Sequence, residues 1–197
     1  MFLITIPSFR LNFPYDWQRQ LIAISRKCGK DVVKQGKGEG SLEPDETAGL
    51  NYRVTVGSAL PHTAHWLRNL YDVQIPEQAA IQGLTLHPDP DPDVRINVNH
   101  LRGDGARYEN HLDSNTCTAL LWSTPMHRGG RFIAQIGDAE IALSLDPGAV
   151  VLFTGNLIPH RVEALIEPLE RITVPMSYFL TPNAKRPESL SGYLYGS

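Results

Sequence analysis

Cysteine is scarce in this chain. Only Cys28 and Cys117 occur in 197 residues, and they stand far apart, so a disulfide-stapled scaffold is not expected and a reducing cytoplasm is the simplest home. Excess positive charge is missing as well. Lys and Arg number 18 against 21 Asp and Glu, a net charge of −3, which leaves no electrostatic footprint for nucleic acid. No run approaches the roughly 18 apolar residues of a membrane span. The opening Met1-Phe-Leu-Ile-Thr-Ile6 is apolar but short, has no basic leader and runs into Pro7, so it reads as a strand and not as a signal peptide. What remains is a globular composition, 42% hydrophobic and 20% charged, long enough for one domain with a good core.

Local patterns divide that domain, residues 1–197, into two parts. Asp16 is placed to cap a helix carrying Trp17, Leu21, Ile24 and Cys28, with Gly29 as its stop. Lys34 to Gly49 is rich in Gly, Lys, Glu, Asp and Pro, which predicts a mobile surface loop, either a lid or a tolerated insertion. Tyr52 to Val56 alternates like a strand, and Ser58 is placed to cap a second helix bearing Leu60, Ala64, Leu67 and Tyr71. After the turn-rich His87-Pro-Asp-Pro-Asp-Pro-Asp93 the pattern changes. From Val94 to Leu180 about eight short alternating runs, separated by Gly, Pro or Asp, predict a β-sandwich or barrel. Residues up to about 90 then form a helix-and-strand support for a core over about 94–180.

Within the core, one string of residues carries chemistry. His111-Leu112-Asp113 follows the glycine-broken stretch from Arg102 to Tyr108, His160 comes later, and Arg171 and Thr173 follow it. Two imidazoles and a carboxylate form the facial triad that holds Fe(II) on one side and leaves positions open. In a strand, His111 and Asp113 would project from one face. Alone, the pair is more often a surface or satisfied core contact than a metal site. Arg171, Thr173, Pro175 and Ser177 share one face of an extended run, while Ile172, Val174 and Met176 take the other. An arginine on an inward face needs an anion, whereas an outward one would pair with Glu167 or Glu170 at little gain.

The segment from about Asn97 to Phe179 resembles the iron(II)- and 2-oxoglutarate-dependent oxygenases. The order His111-x-Asp113, His160, Arg171-x-Thr173 matches that superfamily's iron ligands and its carboxylate clamp. Asn99 with Gly103 and Gly105, Tyr108, Gly129-Gly130 and Pro147-Gly148 extend the match. The resemblance implies a mainly β fold with flanking α-helices, a double-stranded β-helix or jelly roll. It implies Fe(II) on His111, Asp113 and His160, with 2-oxoglutarate as co-substrate gripped by Arg171 and Thr173. By the same analogy Asn99 or Tyr108 contacts the co-substrate and Trp122 walls its pocket. O2 and 2-oxoglutarate would give succinate and CO2, and because Asp113 stands where related halogenases have a small residue, hydroxylation or another oxidation is implied over chlorination.

The substrate is less legible. The modest size favours a small molecule, and Glu109, if it faces the metal, would suit an amino acid or an amine-bearing natural product; Arg95, Asn97 and Asn99 share a strand parity that allows a polar pocket. The same triad on a cupin-like barrel would serve an isomerase, a co-substrate-independent dioxygenase or a metal-binding sensor, and Arg171 is the residue that separates those from an oxygenase. Oligomeric state is left open.

Overall fold

The computed structural model describes residues 1–32, 51–125, 128–167 and 170–184. The expected loop from Lys34 to Gly49 lies outside these residues. In chain order the elements are β1 (Leu3–Ile6), α1 (Trp17–Cys28), β2 (Lys30–Asp31), β3 (Tyr52–Thr55), α2 (His65–Asn69), α3 (Ile75–Ile81), β4 (His87–Pro88), β5 (Val98–Arg102), β6 (Tyr108–His111), β7 (Cys117–Trp122), β8 (Arg128–Gly129), β9 (Phe132–Ile136), β10 (Ala139–Leu143), β11 (Val150–Phe153), β12 (His160–Val162), β13 (Leu165–Glu167) and β14 (Glu170–Phe179). The large sheet runs β1-β11-β7-β14-β5-β3-β2, with β4 on the end of β14, and a smaller sheet runs β10-β9-β12-β6. All of these pairings are antiparallel. This is the jelly-roll arrangement expected for the core, with β1, β2, β3 and β4 of the supporting part added to the large sheet.

Side-chain alternation decides which layer lies where. On β14, Ile172, Val174, Met176 and Tyr178 join Leu21 and Ile24 of α1, Leu67 of α2 and Ile75 of α3 in the main core, between the large sheet and the helices. The opposite face of that sheet meets the small one: Leu120, Trp122, Val151 and Phe153 pack with Phe132, Ala134 and Ile158. Both faces of β14 are therefore covered, and Arg171 and Thr173, which alternate with the helix-facing residues, are driven into the space between the sheets. No helix among the described residues is long and apolar enough to cross a membrane.

The supporting part departs from expectation in three places. Asp16 does sit at the start of α1, but its side chain makes no capping bond; Oδ1 accepts from Gln20 Nε2 at 2.8 Å. Gly29 does end α1, yet its φ is −74° and not left-handed. Space is the reason for glycine, since a Cβ there would lie 2.5 Å from Ser25 O and 2.9 Å from the Arg53 side chain. Ser58 caps no helix. It lies in the short turn Gly57–Ala59, Leu60 is extended, and the α-helix begins only at His65. Pro61 explains the delay, because its ring pushes the preceding residue out of the helical region.

Candidate metal centre and the pocket beside it

His111 is the last residue of β6 and His160 the first of β12, and the two stand opposite each other in the register. Their rings lie 4.1 Å apart between centroids. Asp113 is not on the strand, so the expected pleat geometry does not bring it there. The chain turns after His111, the Asp113 N–H donates to Gly155 O at 3.0 Å, and Oδ1 reaches 3.4 Å from His111 Nε2 and 3.6 Å from His160 Nε2. The three ligand atoms lie within 4.8 Å of one another, the one such cluster of His, Cys, Asp and Glu among the described residues.

Each imidazole is oriented from behind. Nδ1 of His111 lies 2.9 Å from Glu109 O, and Nδ1 of His160 lies 2.9 Å from Ile158 O. A ring that donates through Nδ1 in its neutral form keeps the lone pair on Nε2, the atom turned toward Asp113. Burial opposes charging either partner of the cluster. It is outweighed at Asp113 by His160 and His111, which hold the carboxyl well below its usual range, and at His111 by the Asp113 hydrogen bond, which raises the imidazole. Phe132 and Phe153 flank the His160 ring at 5.4 and 4.8 Å, and Tyr108 meets His111 edge-on at 4.7 Å. The centre thus sits in an aromatic collar.

Arg171 fulfils the inward reading. It is 3% exposed, and Glu170, the neighbouring acid, is taken on the other face by His100 Nε2 at 2.7 Å. The guanidinium lies over the Trp122 ring at 4.3 Å, and Nη1 donates to Thr173 Oγ1 at 3.4 Å. Its Nε and Nη2 have no hydrogen-bond partner among the described residues, and the same holds for Trp122 Nε1 and Asn99 Oδ1. Thr173 stands in register with Asn99 on one side and Trp122 on the other, so these side chains form one row on the inner face. Burial without a counter-charge pushes the Arg171 pKa down to about 9 despite the favourable field of Tyr52. Buried polar groups are ordinarily paired, and four orphan atoms on one inner face, two of them on Arg171, mark a place built for a polar ligand. An anion with more than one acceptor oxygen fits the donors on Arg171, Trp122 and Thr173.

Two aromatic rings join the pocket to the metal centre. Tyr52 acts on Arg171 and meets Tyr108 at 5.1 Å, and Tyr108 meets His111. Tyr108 reaches this side through an irregularity: between the pairs His160↔His111 and Val162↔Tyr108 the register shifts, so β6 spends one residue more than β12. That bulge breaks simple alternation between Tyr108 and His111. Glu109, expected on the parity of His111, is buried, and its carbonyl supports the His111 ring. Arg95 does not line the pocket. It lies in a bend before β5 and donates to Asp89 O.

Sequence reading missed Thr118, Asn115 and Gly155, all at the back of Asp113. The Thr118 hydroxyl bonds Asp113 Oδ2, and Asn115 Nδ2 donates to Thr118 Oγ1 at 2.8 Å. A Cβ on Gly155 would sit 2.6 Å from Asp113 Oδ2. The parity of Thr118 with Trp122 on β7 is the signal that could have found it.

No family model and no curated protein matches the chain by sequence. Solved structures do match in fold. An oxidoreductase of the 2OG-Fe(II) oxygenase family from Burkholderia pseudomallei superposes with a TM-score of 0.66 at 16% identity, covering 95% of this chain and 89% of that one. The non-heme alpha ketoglutarate dependent epimerase SnoN from nogalamycin biosynthesis gives 0.65 at 14%, over 99% and 85%. A prolyl-4-hydroxylase from Pseudomonas putida gives 0.57 at 19%, over 91% and 92%. The chain shares the double-stranded β-helix fold of these oxygenases.

Proposed function

We propose that the protein is an iron(II)- and 2-oxoglutarate-dependent oxygenase that oxidises a small molecule, by hydroxylation. The observation that carries this is the pairing of a His-Asp-His cluster with a buried arginine whose Nε and Nη2 have no partner among the described residues, in the same inter-sheet space. A cupin-type metal enzyme or a metal sensor has no use for Arg171, whose burial costs stability unless an anion completes it.

The residues divide the work. His111, Asp113 and His160 would hold the ion from one side; Arg171 and Thr173 would take the far carboxylate of the co-substrate, with Trp122 beneath it and Asn99 and Tyr108 at its flanks. Bound Fe(II) and 2-oxoglutarate together supply O2 activation, with succinate and CO2 as co-products. None of these side chains is required to move a proton. Phe132, Phe153 and Tyr108 keep the surroundings apolar, which limits water at the centre. The carboxylate of Asp113 would fill the position that a halide would need, which supports hydroxylation or another oxidation over halogenation. The neighbours include both prolyl hydroxylases and an epimerase; the ligand set of this chain speaks against halogenation, and hydroxylation is proposed here among the oxidations that remain.

Anaerobic titration with Fe(II) and then 2-oxoglutarate tests the reading: a weak visible charge-transfer band should appear in the wild type and be lost in His160→Ala. Absence of the band together with no O2-dependent release of succinate would overturn it. A screen of amino acids and amine-bearing compounds for stimulated succinate release then addresses the substrate and the part played by Glu109.

A further inference from the structure

Asp113 has two carboxylate oxygens with different fates. Oδ1 faces both histidines, at 3.4 and 3.6 Å from their Nε2 atoms. Oδ2 points away from them, into a network that the ligand set does not require. There it meets the hydroxyl of Thr118, a residue only 4% exposed. A hydroxyl can donate or accept, and the direction here is set by the next residue back. The Asn115 amide donates to Thr118 Oγ1 at 2.8 Å and to Cys117 O at 2.7 Å, while Ser177 Oγ donates to Asn115 Oδ1 at 3.4 Å. With its oxygen already accepting from an amide, Thr118 has its proton left to give, and an ionised carboxylate, acceptor-only, is what receives it.

Two further contacts close the space around this oxygen. Gly155 presses so near that any side chain would collide with both Asp113 Oδ2 and Thr118 Oγ1, at 2.6 and 2.7 Å from a Cβ. The Asp113 N–H is tied to Gly155 O. Partial rotation of the carboxylate about its own axis would break the Thr118 bond and leave a buried hydroxyl without its acceptor.

We propose that Thr118, oriented by Asn115, is a positioning residue that occupies Oδ2 of Asp113 and so presents a single oxygen, Oδ1, to a metal ion held with His111 and His160. The inference rests on the metal-centre reading above. A carboxylate free to turn would offer two oxygens, and the second would compete for a position that a co-substrate or O2 needs. Outer partners of this kind commonly change metal affinity by 10- to 100-fold.

The test is titration of the metal-free full chain with Co(II), read by its visible absorption, in wild type, Thr118→Val, Thr118→Ser and Asp113→Ala. Thermal unfolding of the metal-free proteins is measured alongside. Thr118→Val is expected to bind Co(II) about 10- to 100-fold more weakly with a changed band envelope, and Thr118→Ser to restore both. If Thr118→Val does not fold, Asn115→Ala, which leaves the hydroxyl but not its orientation, should show the same change in smaller degree. A Co(II) affinity and spectrum unchanged in Thr118→Val or Asn115→Ala overturns the proposal while leaving the metal centre standing. If wild type and Asp113→Ala bind Co(II) alike, the metal-centre reading itself has failed. A purely structural role for Thr118 would lower the unfolding temperature and leave the Co(II) spectrum of the folded protein as in the wild type, which also overturns the proposal.

Discussion

The metal cluster and the Arg171 pocket occupy the same gap between two sheets but are finished to different degrees. Around the cluster, the imidazole Nδ1 atoms, both oxygens of Asp113 and the Thr118 hydroxyl all have partners within the chain. Around Arg171, four buried polar atoms have none among the described residues. The first region is organised before anything binds, and the second is left incomplete. A protein keeps such an incomplete pocket when a ligand completes it, because unpaired buried polar groups are otherwise a standing loss of stability. The contrast teaches that the metal end should tolerate the empty state well, while the arginine end should be under strain until it is filled.

Breaking the finished region should have the largest effect. Asp113→Ala removes the only anion of the cluster and leaves the Thr118 hydroxyl buried without its acceptor. Metal affinity should fall by more than the roughly 100-fold typical of outer-partner losses, and succinate formation should vanish. His160→Ala should do the same. Near-parental Fe(II) binding by either variant in isothermal titration would mean that the ion is held elsewhere.

Breaking the unfinished region should give a split result. Arg171→Met is expected to weaken 2-oxoglutarate by about 1.5–3 kcal/mol, roughly 10- to 150-fold, with Fe(II) affinity within about twofold of the parent. The same substitution should stabilise the ligand-free protein. An arginine whose folded pKa is pushed down to about 9 from its ordinary, higher value carries its full penalty at neutral pH, below both values, and methionine removes it. For a chain of this size each kcal/mol recovered raises the unfolding temperature by about 2–4 °C. A lower unfolding temperature in Arg171→Met would show that stacking on Trp122 already compensates the charge. Thr173→Val should act in the same direction on 2-oxoglutarate but less, by about 0.5–1.5 kcal/mol.

The two regions also differ in how far they could be read from sequence. Arg171 and Thr173 were legible because strand alternation is enough: Ile172, Val174 and Met176 claim the helix side, so their neighbours must face the other sheet. The ligand types at 111, 113 and 160 were legible too, but the reason they meet was not. Asp113 arrives by a turn held to Gly155, and Tyr108 arrives through the bulge on β6, and neither follows a period in the sequence. No sequence period ties Thr118 and Asn115 to Asp113. In the supporting part, helix periodicity found α1 with its limits, but a proline effect outweighed the cap signal at Ser58. Local patterns survive where one face is buried along a straight element; they fail where a tertiary contact sets the path.

The smallest expected effect lies behind the sheet, at the pair that keeps Glu170 away from Arg171. His100 lies on β5, buried against α1, its Nδ1 2.8 Å from Ser25 Oγ and its Nε2 2.7 Å from Glu170. Burial lowers its pKa, more than Glu170 raises it, with Arg102 and Arg26 adding to the lowering. A histidine that resists protonation when folded but accepts it when unfolded makes the unfolded state the greater proton binder, so stability rises with pH in that window. Below its ordinary value of about 6.5, acidification should therefore destabilise the protein through this group, by at most about 1.4 kcal/mol per pH unit. Urea unfolding at pH 5.5 and 7.5 in wild type and His100→Gln isolates the contribution, since other titrating groups are common to both. The variant should show the shallower dependence while binding 2-oxoglutarate as the parent does. If instead its 2-oxoglutarate affinity drops, then Glu170 released from His100 has reached Arg171, and the open pocket depends on this pair as much as on the strand that carries it.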